Sequence, residues 1–194
     1  MDILKLIKKR CTTRIYLNKK IPHKIINKII EAGVWGPSIH GFQPWKFIIV
    51  QNRKIINRFS KTILSKTQIT ETYANTLMTI TARTIKNAGT IIAIYNSRNF
   101  TNFAHQFKKR NYTKISELSE VEAISAAIQN MLLTAETLRV GSCWTIVPLF
   151  YEQEINRILD TKDRLLAIVT LGFPAEKGRR TKRKPNNIVT KYIA

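Results

Sequence analysis

The chain has 194 residues, of which 44% are hydrophobic, and a formal net charge of +21. This length and hydrophobic content suit one folded domain and exclude a disordered chain. No apolar run approaches the roughly 18 residues that a membrane-spanning helix needs. We therefore expect a single domain over residues 1–194, in which residues 177–194 form a basic C-terminal segment.

The high positive charge predicts non-specific attraction to nucleic acid and to anionic surfaces, and it would equally serve a phosphorylated cofactor. No zinc-finger spacing, recognition-helix pattern or RNA-binding aromatic motif accompanies it, so specific nucleic-acid binding is not expected. Cys11 and Cys143 are far apart in sequence, which argues against a disulfide framework. We predict a cytoplasmic protein that does not associate with membranes.

In chain order, residues 2–10 predict a one-sided helix, without the unbroken apolar core of a signal peptide. An extended basic segment follows, in which Arg10, Thr12 and Arg14 alternate and therefore point to one side. Two guanidinium groups and a hydroxyl on one side suit a phosphate or a ribityl chain. A solvated basic strand is compatible with the same residues.

The next helix is predicted over residues 22–35, and an apolar strand over 46–50. Between them, prolines and glycines predict a loop, and Pro44 should bring the chain to Trp45 in an extended conformation. This loop sets the polar side chains Ser38, His40 and Gln43 among Trp35, Phe42 and Trp45. It suits a flat heteroaromatic ligand, or it is an ordinary turn with a tryptophan in the core.

Further along, a helix is predicted over 52–64, helix and loop over 65–88, and a strand over 90–95. Residues 96–118 break the regularity and contain Phe100, Phe103 and Phe107. This stretch is long for a connection in a compact domain. It is therefore either a lid or binding loop, or a short amphipathic helix.

The clearest helix covers residues 120–139 and is apolar on nearly all sides, which predicts burial and contact with a partner subunit. Gly141 is expected to close it. A strand over 143–147 ended by Pro148, a short helix over 152–159 and a strand over 165–171 complete the pattern. Strands alternating with helices predict an α/β fold, or an α+β fold with a mixed sheet.

The common catalytic motifs are missing from the sequence, which has no GxGxxG, P-loop, HExxH or GxSxG pattern. The three histidines and two cysteines are scattered, so no metal site is predicted. No side chain is expected to be catalytic, and a bound cofactor would carry the chemistry.

Four motifs occur in the order in which the nitroreductase family has them. In turn they resemble its N-terminal Arg-x-Ser-x-Arg, its Pro-Ser-x-x-Asn-x-Gln-Pro-Trp loop, its central helix with the following strand, and its C-terminal segment. They lie at residues 10–14, 37–45, 129–133 with 141–144, and 172–177 with 183–185. In the loop, Gly41 replaces the family's asparagine.

The resemblance implies an α+β fold with a central mixed sheet flanked by helices, in a homodimer with the long helix at its interface. It implies an FMN-dependent oxidoreductase that uses NADH or NADPH to reduce a nitroaromatic, quinone or enone acceptor. One alternative is a specialised relative that cannibalises flavin, removes halogen or oxidises azolines. Another is a basic flavin- or nucleic-acid-binding protein with little turnover.

The resemblance also implies which residues bind the cofactor. Arg10 and Thr12 would hold the FMN phosphate, joined by Arg183 from the other end of the chain. Arg14 would lie nearer the ribityl chain and the N1–C2 edge of the flavin. Pro37, Ser38 and Ile39 would contact flavin bound mainly by the other subunit. The predicted set is completed by Cys11, Gly41, Gln43, Pro148 and Leu149.

Overall fold

The computed structural model describes residues 2–65, 73–107, 110–178 and 180–193. Its strands are β1 (Trp45–Val50), β2 (Thr90–Asn96), β3 (Gly141–Thr145) and β4 (Arg164–Gly172). Its helices are α1 (Ile3–Lys9), α2 (His23–Val34), α3 (Arg53–Ser65), α4 (Tyr73–Asn87), α5 (Asn99–Ala104), α6 (Arg110–Thr137), α7 (Glu152–Leu159) and α8 (Asn186–Val189). Short 3₁₀ turns occur at Ile39–Gly41, His105–Phe107 and Val147–Tyr151.

The four strands form one antiparallel sheet in the order β1-β2-β4-β3. A mixed sheet was predicted, which would also contain parallel strands. In the described residues, the parallel pairing is limited to a single bridge between Thr12 and Ser142. The central strand β2 is buried along its whole length. The sheet and the helices around it confirm the predicted α+β class.

Each face of the sheet carries its own layer of helices. Side chains alternate along β2, so Ile91, Ala93 and Tyr95 pack on one face with residues of α3, α4 and α7. Ile92 and Ile94 pack on the other face with residues of α2 and α6. Two hydrophobic cores therefore enclose the sheet. Among the described residues, no helix is both long enough and apolar enough to cross a membrane.

The long helix α6 begins at Arg110, well before the start predicted at residue 120. The prediction captured the apolar half of the helix and missed the polar residues before Glu120, among which Ser116 is buried. Helix α6 also packs against α5. The stretch 96–118 is therefore mostly helical where the structure describes it, in α5, a 3₁₀ turn and the start of α6. Two residues of this stretch, 108 and 109, lie outside the described ranges. The same holds for residues 66–72 of the predicted helix and loop over 65–88.

The prediction that Gly141 closes α6 is wrong. The helix ends at Thr137, and the left-handed residue that follows it is Arg139, with a φ of 57°. Gly141 instead starts β3. Likewise Pro148 does not end that strand, because the strand stops at Thr145 and the proline occupies the first turn of a 3₁₀ segment, where its fixed φ is favourable.

Candidate functional site

The basic segment after α1 is held against the sheet by Thr13. Its amide donates to the carbonyl of Ser142 at 2.9 Å, and its carbonyl accepts from the hydroxyl of Tyr16 at 2.6 Å. Burial raises the pKa of Tyr16 well above its ordinary value, which keeps that hydroxyl protonated as a donor. Gly141 permits the close approach, since a Cβ there would lie 2.8 Å from the Cβ of Thr13.

The C-terminal segment crosses the other side of the same residues. A Cβ at Gly178 would collide with the Sγ of Cys11 and would lie 3.0 Å from the carbonyl oxygen of Thr12. Beyond it, Nη2 of Arg180 donates to the carbonyl of Lys9 at 3.2 Å. The two ends of the chain therefore meet, and the segment after α1 lies between β3 and the tail.

A cavity of about 360 Å³ lies where the two ends meet. It is lined by Ile7, Lys8, Arg10, Cys11, Thr12, Arg14, Arg180, Thr181 and Arg183. Five of the predicted residues, Arg10, Cys11, Thr12, Arg14 and Arg183, are thus brought together. The prediction missed the other four lining residues, Ile7, Lys8, Arg180 and Thr181. The basic C-terminal segment indicated that a cation such as Arg180 could contribute. A single sequence does not show which of these basic side chains line the cavity.

We call this first space the phosphate cavity, because guanidinium, ammonium and hydroxyl groups line it and, among the residues that the structure describes, no carboxylate does. Nη1 of Arg183 donates to Oγ1 of Thr181 at 2.8 Å, which orients the guanidinium within the exposed tail. Such a donor set suits a dianionic phosphate, the ligand for which planar guanidinium groups are well shaped.

A second cavity of about 260 Å³ shares Arg14 with the first. Its walls are largely apolar, from Leu77, Ile80, Thr81, Thr84, Cys143, Trp144, Thr145 and Val147. Burial raises the pKa of the Cys143 thiol, and the nearby Arg14 partly offsets that rise, so this wall stays neutral. We call this space the ring cavity, because a narrow apolar space beside a cation suits a flat heteroaromatic ring.

Two further predicted residues, Pro148 and Leu149, lie in the 3₁₀ turn next to this second cavity. Pro148 is buried, and Leu149 packs against the core on the side of α3 and α4. Neither lines the cavity, whereas Val147 directly before them does.

The loop before β1 is folded by an unusual series of positive φ angles. His40 has a φ of 45°, Gly41 of 73° and Gln43 of 47°. The chain therefore turns at Gln43 instead of running extended into Trp45, although β1 does begin at Trp45. The predicted loop residues, Pro37, Ser38, Ile39, Gly41 and Gln43, line neither cavity of their own chain.

The aromatic environment predicted for this loop differs from the one observed. Trp35 is 81% exposed, and Trp45 packs into the core between the sheet, α2 and α6. Phe42 instead contacts α5, with ring centroids 5.0 Å from Phe100 and 5.5 Å from Phe103. The contacts continue outward, and we call the set His40, Phe42, Phe100, Phe103, Phe107 and Tyr112 the aromatic row.

Comparison with known proteins shows the same fold and family. The sequence profile of the nitroreductase family matches residues 7–173. A relative from Methanothermobacter thermautotrophicus, named "Putative NADH dehydrogenase/NAD(P)H nitroreductase", is 28% identical over 97% of this chain and 86% of its own length. Iodotyrosine deiodinase 1 of Sus scrofa is 23% identical over 91% of this chain and 62% of its own length.

Among solved structures, a "putative nitroreductase in complex with FMN" from Desulfovibrio desulfuricans superposes with a TM-score of 0.74 at 20% identity, over 100% of this chain and 98% of that one. At this identity the superposition establishes the shared fold. The match of the family profile to most of the sequence confirms the resemblance seen in the motifs. The chain belongs to the nitroreductase family, whose members are FMN-dependent oxidoreductases.

Proposed function

We propose that this protein passes reducing equivalents from NADH or NADPH, through bound FMN, to a small organic acceptor. The observation that carries the proposal is the phosphate cavity, in which Arg10, Thr12 and Arg14 from one end of the chain meet Arg183 from the other. When bound, FMN supplies the hydride and electron transfer. The side chains of this chain bind it, orient it and exclude water.

Arg10, Thr12 and Arg183 are proposed to hold the FMN phosphate. The fit is chemical, because the cavity offers two guanidinium groups and a hydroxyl at these positions, and no carboxylate from the described part of the chain lines it. The family profile ends at residue 173, so Arg183 rests on its position in the cavity and on the tail motif. Cys11 contributes its backbone between these side chains.

Arg14 is proposed to bridge the phosphate and the flavin ring, since it lines both cavities. A permanent cation at this junction favours the N1–C2 edge of the ring, which gains negative charge on reduction. Leu77, Ile80 and Val147 provide the apolar walls that a ring requires. Pro148 and Leu149 follow Val147, and we propose that they form the rim of this space.

A homodimer is part of the proposal, because five loop residues of the predicted set line neither cavity of their own chain. We propose that Pro37, Ser38, Ile39, Gly41 and Gln43 contact the flavin of the partner. Exposed apolar side chains at Trp35, at α1 and at the tail support association, since water-exposed groups of this kind mark interfaces. Light scattering should give about twice the 22.4 kDa chain mass, and a monomer that binds FMN tightly would contradict this arrangement.

The acceptor is proposed to be planar and aromatic, a nitroaromatic or quinone in preference to an enone. The aromatic row supports this choice, because it starts at the loop assigned to the flavin and remains partly exposed, with Phe103 41% and Phe107 51% accessible. Offset and edge-to-face contacts with aromatic rings favour flat π-systems by roughly 0.5–1.5 kcal/mol each.

The purified protein provides the decisive test. Flavin absorbance that co-purifies, and that bleaches on anaerobic addition of NADH or NADPH, is expected of the oxidoreductase. Absorbance that persists after both donors would instead support a flavin-binding protein without turnover, and would contradict the proposal. Re-oxidation rates with a nitroaromatic, a quinone and an enone then rank the acceptors.

A dehalogenating enzyme is the second candidate, favoured by the deiodinase relative that aligns with 91% of this chain. The same reduced protein should then release iodide from an iodophenol faster than it reduces a nitroaromatic. Iodide release indistinguishable from that of free reduced FMN would exclude this candidate. A cytoplasmic location is kept as part of the proposal and is consistent with Cys11 and Cys143, which are both free thiols.

A further inference from the structure

Two glycines lie opposite each other in the sheet, Gly141 at the start of β3 and Gly172 at the end of β4. A Cβ at Gly172 would lie 2.5 Å from the ring of Tyr16, just as one at Gly141 would lie 2.8 Å from Thr13. Both distances are shorter than real side chains adopt. The pair of glycines therefore forms a groove that admits Tyr16 and Thr13.

The hydroxyl of Tyr16 reaches back to the segment that lines the phosphate cavity. It donates to the carbonyl of Thr13 at 2.6 Å and contacts Oγ1 of Thr170 at 2.8 Å, and all three residues are buried. A hydroxyl has one proton to donate, so Thr170 is the donor in the second contact. The two hydrogen bonds form a chain that runs from β4, through Tyr16, to the backbone at Thr13.

Thr13 lies at the centre of the segment that carries the phosphate ligands. Its side chain packs against the sheet, whereas Thr12 and Arg14 on either side of it line the phosphate cavity. Successive side chains of an extended segment point to opposite sides, so the position of Thr13 determines where its two neighbours present their polar groups. Ser142 holds the amide of Thr13 at 2.9 Å, and Tyr16 holds its carbonyl.

The backbone around Tyr16 is anchored independently of the hydroxyl. Tyr16 forms an antiparallel bridge with Pro174, and the amide of Leu17 donates to the carbonyl of Phe173 at 2.8 Å. Loss of the hydroxyl would therefore leave the ring of Tyr16 in its groove and release the carbonyl of Thr13. A role in placing the segment can thus be separated from a general role in the fold.

We propose that Tyr16 is a positioning residue for the FMN phosphate, because its hydroxyl fixes the backbone from which Arg10 and Thr12 reach the phosphate cavity. This inference rests on the proposed function, since it takes the phosphate to occupy that cavity. Without the hydroxyl, the segment populates further conformations, and the apparent affinity falls in proportion to the population that is competent to bind. The flavin ring lies in the ring cavity, so the loss concerns the phosphate.

The test compares FMN with riboflavin, which has the same ring system and no phosphate. Fluorescence titrations of the flavin-free protein give both dissociation constants, and their ratio measures the contribution of the phosphate. Tyr16→Phe should weaken FMN binding about three- to tenfold, the size of one net hydrogen bond, and riboflavin binding less than about twofold. An unchanged ratio would overturn the inference, whatever stability the variant loses.

Tyr95→Phe is the matched control. Tyr95 is also buried, its hydroxyl donates to Oδ1 of Asn156 at 3.0 Å, and it lines neither the phosphate cavity nor the ring cavity. Its substitution should lower the free energy of unfolding in urea without changing the ratio of the two dissociation constants. An equal change of the ratio in both variants would show that Tyr16 has a structural role alone.

Thr170→Val and Thr170→Ser test the same chain of hydrogen bonds from its other end. Valine removes the hydroxyl that donates to Tyr16, whereas serine keeps it. The FMN preference over riboflavin should fall about two- to threefold in Thr170→Val and be restored in Thr170→Ser. These two variants decide the matter if Tyr16→Phe does not fold, and equal ratios in both would overturn the inference. Absence of FMN binding by the unmodified protein would overturn the proposed function as well, whereas an unchanged ratio overturns the inference alone.

Discussion

Thr101 donates its hydroxyl to Oε2 of Glu120 at 2.7 Å, and both residues are fully buried. The same carboxylate accepts from the side-chain amide of Asn96 at 3.0 Å and from the backbone amides of Phe100 at 2.8 Å and Thr101 at 3.0 Å. Donors from the end of β2 and the start of α5 thus converge on one side chain of α6. Because α5 carries Phe100 and Phe103, Glu120 fixes the aromatic row to the core.

Glu120→Gln is therefore expected to destabilise the fold by about 1.5–3 kcal/mol, the range for a hydrogen bond to a charged group that leaves buried donors unpaired. An amide nitrogen cannot accept, so at least one donor would face another donor. The free energy of unfolding in urea measures the loss. Glu122→Gln, on the exposed side of the same helix, is the control, and an equal effect of the two changes would contradict this role of Glu120.

Local patterns in the sequence predicted much of the fold. Apolar runs located β1, β2 and β4 to within about a residue, because buried strands carry a continuous hydrophobic signal. The motif at residues 10–14 and the distant Arg183 were assigned to one ligand, and they line one cavity. Motif order supplied that long-range link, which periodicity could not supply.

The features that were mispredicted depend on contacts distant in sequence. The start of α6 is mostly exposed and is fixed to α5 by the hydrogen bonds of Glu120, so it has no buried apolar stripe to detect. Gly141 was predicted to cap the helix because glycine commonly ends helices. In the structure it instead leaves room for the side chain of Thr13, which packs against it. Arg139 adopts the left-handed conformation instead.

An ion pair gives the fold a predicted sensitivity to acid. Nζ of Lys46 in β1 donates to Oδ2 of Asp163 at 2.5 Å, just before β4. This hydrogen bond is the main cause that lowers the pKa of Asp163 below its ordinary value. A carboxyl with a lowered folded-state pKa adds stability above its unfolded pKa, near about 4, and that stability is lost as pH falls through the folded value.

Asp163→Asn should therefore cost less than about 1 kcal/mol at pH 7, since the pair is partly exposed and screened. It should also reduce the loss of stability below about pH 4 relative to the unmodified protein. Urea unfolding at pH 7 and at pH 3 measures both effects. Asp160→Asn, at a nearby exposed position where φ is 50°, should leave both unchanged because asparagine tolerates that conformation.

Arg183→Ala should weaken FMN binding about ten- to a hundredfold while leaving the fold intact, because one charge-assisted contact to the phosphate is worth about 1.5–3 kcal/mol. Titration of the flavin-free protein measures the effect. Lys184→Ala is the control, since Lys184 is the next residue along the chain and lines neither the phosphate cavity nor the ring cavity. An FMN dissociation constant that is the same in both variants would remove Arg183 from the site.

Phe103→Ala should raise the KM for a nitroaromatic or quinone about five- to tenfold, with a smaller effect on an enone. Loss of one aromatic contact of about 1 kcal/mol accounts for this size. Steady-state kinetics with all three acceptors provide the comparison. Tyr73→Ala removes an aromatic ring that is 80% exposed at the start of α4 and lines neither cavity, so it serves as the control. Equal changes for aromatic and non-aromatic acceptors would show that the aromatic row does not select the acceptor.

Gly41 has a φ of 73°, which explains how it can stand where the family has asparagine. Both residues adopt the left-handed region readily, asparagine being among the side chains most enriched there. A Cβ at this position would meet nothing within 4 Å, so there is also room for a side chain. The polar contact that asparagine would make is expected from Gln43, because the ring of His40 contacts Phe100 at 5.8 Å.

Gly41→Asn should therefore change the free energies of unfolding and of FMN binding by less than about 1 kcal/mol each, the size of one net neutral hydrogen bond. Gly41→Val is the matched variant, because a β-branched side chain finds the same open space but disfavours the left-handed conformation. It should lose at least about 1 kcal/mol of stability. Urea unfolding and flavin titration measure both variants. If Gly41→Asn instead tightened FMN binding more than tenfold, the glycine would leave the site short of a polar contact, and Gln43 would not be supplying it.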